Sequence, residues 1–322
     1  MAGTFTHWMI VEEALDQMSR MSQPPDYFAK ILANNHFVVL GAAGPDYPYL
    51  NEIVLTPLKH HSWADRMHYE NIDSFVLQAM RNLLKRTGAD FDICLSWLCG
   101  YVSHVIADSV IHPVVNAIVG PYMFNADEHR HCEMIQDSFI FHHLTGNEIR
   151  YAAPEDEEGG YLWQLQMCSD PDDKDHIHPA IRSLWIESLE QSHPGGKDYF
   201  DKIEPDDWHE SFLSVIGTAS DPFSLFRHMG EKKNLVYKKT DQFTDEETRR
   251  FLQEIKLPGG KTGDFKKDAF DKAVQHVLEI WTRMLDDLKN QNQDNCLIYL
   301  KNWNLDTGVD AKDEFFWIGG ES

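Results

Sequence analysis

From Trp8 to Met21 the apolar residues Trp8, Ile10, Val11, Ala14, Leu15 and Met18 return every three or four positions, the spacing of one buried helix face. Thr6 stands where a side-chain cap would begin that helix, and Pro24 and Pro25 follow its end. A second helical pattern, Tyr27 to Leu40, runs into GAAGPDYPYL, whose paired glycines and prolines predict a loop carrying Asp46. Ile72, Phe75, Val76, Ala79, Met80, Leu83 and Leu84 predict a helix over 72–87, closed by Gly88. Residues 90–119 are apolar on every side, which predicts a buried central helix, broken near Pro113.

After Pro121 a further helix is predicted from Glu128 to Leu144. The segments PEDEEGGY and SDPDDKD then read as solvated loop, and 178–193, 208–217, 244–256 and 266–290 as helices, the last being the most strongly periodic. Only short runs near 235 and 297 admit a strand, and no internal repeat is present. The pattern predicts an all-α, multi-helix bundle. Residues 1–150 form its core, and 151–322 are a mostly helical addition that either joins that domain or stands apart.

Composition narrows the function. At 42% hydrophobic and 12% aromatic residues, the 322-residue chain is too apolar to stay disordered. Its 29 basic and 52 acidic side chains give 29 − 52 = −23 with histidine neutral, a charge that repels phosphate backbones and excludes a broad basic nucleic-acid footprint. Five cysteines lack framework spacing, and the start MAGTFTHWMIVEEAL lacks a basic segment followed by an apolar run. These predict a reducing, cytoplasmic setting, with export by a signal-independent route as the alternative. No run approaches 18 uninterrupted apolar residues, so no transmembrane helix is predicted.

Eleven of the seventeen histidines lie in residues 1–143. In YVSHVIADSVIHPVV, His104, Asp108 and His112 fall at i, i+4 and i+8, within about 80° of one helix face. A single buried histidine is most simply satisfied by a neighbour, but three polar groups on an apolar helix each cost a few kcal/mol unless partnered, and metal coordination satisfies them together. EHRHCEMIQDSFI repeats the spacing with His129, Glu133 and Asp137, a pattern that a solvated helix face shares. His131 and Cys132 suggest a thiolate zinc site, but no second cysteine stands at structural spacing. Histidine and carboxylate donors point instead to a catalytic zinc centre. His7, Asp46 and either His68 or the His60/His61 pair are the further candidate ligands, although each alone has an ordinary structural explanation.

Taken in order, the motifs THWMIVEEALDQMSR, AAGPDYPYL, MHYENIDSF, LCGYVSHVIADSVIHP and HRHCEMIQD resemble the zinc-dependent phospholipase C family, all-helical enzymes with a three-metal site, over about residues 5–143. The resemblance implies that Asp46, His68, His104 and Asp108 hold one zinc and that His112, His129 and Glu133 hold a second. His7 and Asp108 would share a third. In the family that third ion also takes a processed N-terminal tryptophan, which this chain lacks; removal of Met1 to expose the Ala2 amine is the expected substitute. The spacing from Asp108 to His112 is also tighter than in the secreted members. His68 is preferred over His61 for the aromatic residue that follows it.

The implied activity is hydrolysis of a glycerophospholipid, phosphatidylcholine by expectation, to diacylglycerol and a phosphorylated head group. Two or three Zn2+ ions would serve as cofactors and Asp46 as general base. Asp65 and Asp137 would orient ligand histidines. The expected partner is a phospholipid, met in transient contact with a membrane surface. A nuclease or nucleotidase of the same fold is the alternative enzyme, with Trp8, Trp63 and Trp97 available for base stacking. A non-catalytic, zinc-stabilised binding module is the alternative outside enzymes. The tryptophans Trp163, Trp185, Trp208, Trp281, Trp303 and Trp317 are expected mainly in the core.

Overall fold

The computed structural model describes residues 3–49, 63–149, 160–194, 202–220, 237–292 and 294–319. Helices dominate, as the periodicity predicts. In chain order they are α1 (Thr4–Ser19), α2 (Phe28–Ala33), α3 (Asn35–Ala43), a single 3-10 turn (Gly44–Asp46), α4 (Trp63–Tyr69), α5 (Ile72–Leu83), α6 (Gly88–Val119), α7 (Tyr122–Thr145) and α8 (Tyr161–Gln166). Then come α9 (Pro179–Ser192), α10 (Pro205–Ser220), α11 (Asp245–Thr248), α12 (Asp271–Asn290), α13 (Asp294–Tyr299) and α14 (Phe316–Gly319). A two-residue antiparallel ribbon, Ile255–Lys256 against Thr262–Gly263, is the sheet among the described residues. Of the two runs that admitted a strand, the one near 297 lies in α13 and the one near 235 falls outside the described residues.

The axis of the molecule is α6. Its 32 residues span roughly 48 Å, and every residue from Cys94 to Val115 is buried, as an apolar-all-round sequence requires. On length and composition it could cross a bilayer, yet 89% of its most apolar window is buried against other helices. Pro113 does not break it. A proline there lacks only its own N–H and crowds the preceding turn, and the packing around α6 outweighs that cost.

α3 meets α6 most closely, because both carry glycine at the crossing. A Cβ on Gly41 would lie 2.0 Å from the Trp97 carbonyl oxygen, and one on Gly100 would lie 2.0 Å from that of Val38. α1 and α12 also lie on α6, and the Trp281 indole N–H donates to the Cys99 carbonyl at 2.9 Å. The described residues between 160 and 317 therefore contribute to the same apolar core as those between 5 and 149: Trp185, Trp208, Trp281, Trp303 and Trp317 are buried, and Trp163 is 38% exposed.

Three local expectations are corrected. The stretch from Tyr27 to Leu40 is two helices, split at Asn34, whose φ of −119° and ψ of 32° interrupt the helix. Thr6 does not cap α1; the helix begins at Thr4, and the Asp137 carboxylate of α7 receives the N–H groups of Phe5 and Thr6 and the Thr6 hydroxyl. Asp46 is held in the 3-10 turn rather than on an open loop, and is 5% exposed.

Candidate metal centre

The arc predicted for His104, Asp108 and His112 becomes a row of side chains on the buried face of α6, and Asp108 is its centre. Its Oδ1 lies 3.2 Å from His7 Nε2 and 3.2 Å from His112 Nε2. Its Oδ2 lies 3.1 Å from His104 Nε2 and 3.6 Å from His68 Nε2. Asp46 Oδ1 approaches His68 Nε2 to 3.2 Å and His104 Nε2 to 3.9 Å. α1, the 3-10 turn, α4 and α6 thus converge on one point. The His7 and His104 rings stack, with centroids 4.0 Å apart.

Backbone carbonyls fix which nitrogen of each ring faces inward. A carbonyl oxygen can only accept, so His104 Nδ1 donates to Ala42 at 2.8 Å, His68 Nδ1 to Ala64 at 2.7 Å and His129 Nε2 to Gly120 at 2.5 Å. Such an anchor on the outer nitrogen is the usual support of a metal-bound imidazole. It leaves His68 Nε2 and His104 Nε2 only 3.3 Å apart. In the neutral rings both carry lone pairs, and both face carboxylate oxygens. Four acceptor atoms meeting in a dry site repel one another unless a cation lies among them.

The electrostatics agree. Burial alone would raise Asp108, but His112, His104 and His7 hold its carboxyl well below the usual range. Burial likewise opposes ionisation of Asp46, and His104 and His68 overcome it. Burial lowers His112 and His129, favouring the neutral imidazole that a metal requires. His7 Nε2, His129 Nδ1 and Asp46 Oδ1 are buried without hydrogen-bond partners, as donors reserved for an ion would be. The residues present fit zinc.

Two sets of three close to within 4.8 Å among the described residues: His7, His104 and Asp108, and Asp46, His68 and His104. The first carries His104 where the resemblance put an N-terminal amine; residues 1 and 2 lie outside the described residues, as do His60 and His61. His112, His129 and Glu133 do not form such a set. His129 Nδ1 stands 4.0 Å from Glu133 Oε1, and burial pushes Glu133 up to about 7.

The sequence model of the zinc-dependent phospholipase C family matches residues 6–195, which is more than half of the chain and holds every one of these side chains. The chain belongs to this family. No curated protein and no solved structure matches it. The described residues are helical with almost no sheet, and the buried His and Asp clusters could hold metal, in keeping with the zinc dependence that the family's name states.

Several predicted roles move. Among the described residues Asp137 bonds to no imidazole: it holds the start of α1, and so sets His7, while also accepting from Tyr237 at 3.0 Å. Asp65 accepts from the Tyr49 hydroxyl at 2.9 Å, and Tyr49 in turn packs on His68. His131 pairs with Glu247 at 2.6 Å, and Cys132 is fully buried, its thiol raised well above the usual range by that burial. None of the five cysteines forms a disulfide, and all are buried. The carbonyls of Ala42, Ala64 and Gly120 were beyond sequence reasoning, since every residue has one. An open cleft of about 590 Å3 beside Trp163, Met167 and Leu213 contains none of the candidate ligands.

Proposed function

We propose that the protein is a zinc-dependent phospholipase C that hydrolyses the head-group phosphodiester of a glycerophospholipid, phosphatidylcholine first, to diacylglycerol and a phosphorylated head group. The observation that carries this reading is the meeting of His68 Nε2, His104 Nε2, Asp46 Oδ1 and Asp108 Oδ2, each within 4 Å of at least two of the others. Zinc bound there would neutralise phosphoryl oxygens and make an attacking water available at neutral pH. Asp108, with a pair of histidines on each oxygen, is the carboxylate that would be shared between ions. His7, His68, His104, His112, His129 and Glu133 would supply the other donors. Asp46, at the edge of the cluster and held below its ordinary range by His104 and His68 against the effect of burial, would accept the water's proton.

Two further observations favour a lipid. Tyr122 lies edge-on to His129, with ring centroids 5.4 Å apart, and the next two residues, Met123 and Phe124, are 84% and 78% exposed. An exposed apolar pair beside a polar centre suits contact with a lipid surface. Trp8, Trp63 and Trp97, the stacking residues that a nuclease would use, are buried.

The test is one purified sample offered phosphatidylcholine vesicles, a soluble short-chain phosphatidylcholine and single-stranded DNA, each with and without chelator. The expected result is release of the phosphorylated head group from both lipids, abolished by chelation and restored by zinc. Turnover of DNA alone would replace this reading with a nuclease, and turnover of none of the three would leave a zinc-stabilised binding protein.

A further inference from the structure

His112 differs from three of the other histidines in the cluster. His68, His104 and His129 each rest one ring nitrogen on a backbone carbonyl, whereas His112 Nδ1 is buried with no hydrogen-bond partner. Its Nε2 faces Asp108 Oδ1 at 3.2 Å. If Nε2 is to give its lone pair to a cation, Nδ1 must hold the ring's proton, and that N–H needs an acceptor. The group facing it is the carboxylate of Asp306, with Oδ1 at 3.8 Å. This is an ion-pair distance rather than a hydrogen bond, and the carboxylate is 31% exposed.

Asp306 belongs to the loop between α13 and α14, outside the segment that the family model matches. That loop is tied to the centre from both sides. Leu305 N–H donates to the His68 carbonyl at 2.9 Å, and Asn116 of α6 donates to the Asp306 carbonyl at 2.6 Å. Gly308, at φ +65°, passes so close to α6 that a Cβ would lie 2.8 Å from the Ser109 carbonyl oxygen and 2.9 Å from Pro113 Cγ. Asn302 accepts from the Ile72 N–H at the head of α5. The backbone of residues 305–308 is therefore held against the helices that carry His68 and His112.

We infer that Asp306 is the positioning residue for His112, and that the C-terminal loop completes the metal centre. This rests on the zinc reading above. Asp306 touches neither substrate nor ion; it fixes the His112 tautomer and makes the imidazole a better donor.

The test is zinc affinity by chelator competition on the full chain, together with the visible spectrum of the cobalt-substituted protein. Asp306→Ala removes the carboxylate and leaves the loop's backbone bonds in place; Asp306→Glu keeps a carboxylate. Asp306→Ala is expected to weaken one zinc by about 10- to 100-fold, to change the cobalt spectrum and to leave the metal-free thermal midpoint unaltered, with Asp306→Glu recovering most of the loss. Wild-type zinc affinity and cobalt spectrum in Asp306→Ala would overturn the inference alone. So would a fall in the metal-free midpoint with no recovery in Asp306→Glu, the mark of a merely structural residue. A wild-type chain that holds no zinc would overturn the zinc reading itself, and this inference with it.

Discussion

Asp108 and Asp46 show how little of a side chain's role resides in its identity. Both are buried carboxylates near histidines, yet Asp108 sits among four imidazoles while Asp46 meets two at the edge. The structural centre and the candidate base are thereby distinguished. Asp46→Asn keeps an oxygen donor and loses the basic one, so zinc content is expected to stay at the wild-type value while kcat falls by about 100- to 10,000-fold. Metal analysis beside steady-state kinetics checks this, and an unchanged kcat excludes Asp46 as base. Away from the centre, burial lowers His209 and His276 to about 4 from an ordinary 6.5. A histidine depressed in the folded state leaves stability intact above the unfolded value and removes it as pH falls from about 6.5 toward 4, at roughly 1.4 kcal/mol per unit for each. Denaturant midpoints measured across that window should decline, and His209→Asn should decline less steeply than wild type.

Between elements, the decisive contact is the glycine crossing of α3 and α6. Gly41 and Gly100 let the two backbones touch, and that approach brings the Ala42 carbonyl to His104 Nδ1. A methyl at Gly100 has nowhere to go, because it meets the Val38 carbonyl rather than a movable side chain. Gly100→Ala is expected to cost more than about 3 kcal/mol, the upper part of the usual overpacking range. It should also weaken zinc binding in whatever fraction still folds, as chemical denaturation and metal analysis would show. The periodic apolar residues made α1, α5, α6 and α12 legible, since each buries one face or all of it. The helix ends were less legible. α1 is capped by Asp137, 131 residues away from Thr6, and the pairing of those two groups has no local signal.

For the whole molecule, the charge of −23 has two parts. Three zinc ions would offset six units of it, leaving −23 + 6 = −17 on a surface that favours zwitterionic over anionic lipid. Faster turnover of phosphatidylcholine vesicles than of vesicles rich in phosphatidylserine is the expected result. Replacing Met123 and Phe124 together by serine removes apolar area worth a few kcal/mol on transfer to lipid. Activity on vesicles should then fall at least about tenfold, while activity on the soluble short-chain lipid is retained. Zinc removal should lower the thermal midpoint as well as abolish turnover, because an ion that binds only the folded chain stabilises it by mass action, about 4 kcal/mol at a thousandfold excess over Kd.

The sequence by itself determined the helices and the order of the metal-binding motifs, because a 3.6-residue period and an i, i+4 spacing are local properties of the chain. His104, Asp108 and His112 share a face of α6 for that reason alone. Only the tertiary structure decided which groups face one another. The carbonyls that orient His104 and His129, the carboxylate that starts α1, and the loop that carries Asp306 to His112 come from elements brought near by packing or by turns that no residue type announces, whereas the Ala64 carbonyl that orients His68 is one turn earlier in α4 and so local. Coordination depends on such distances, and they are fixed by the core as a whole.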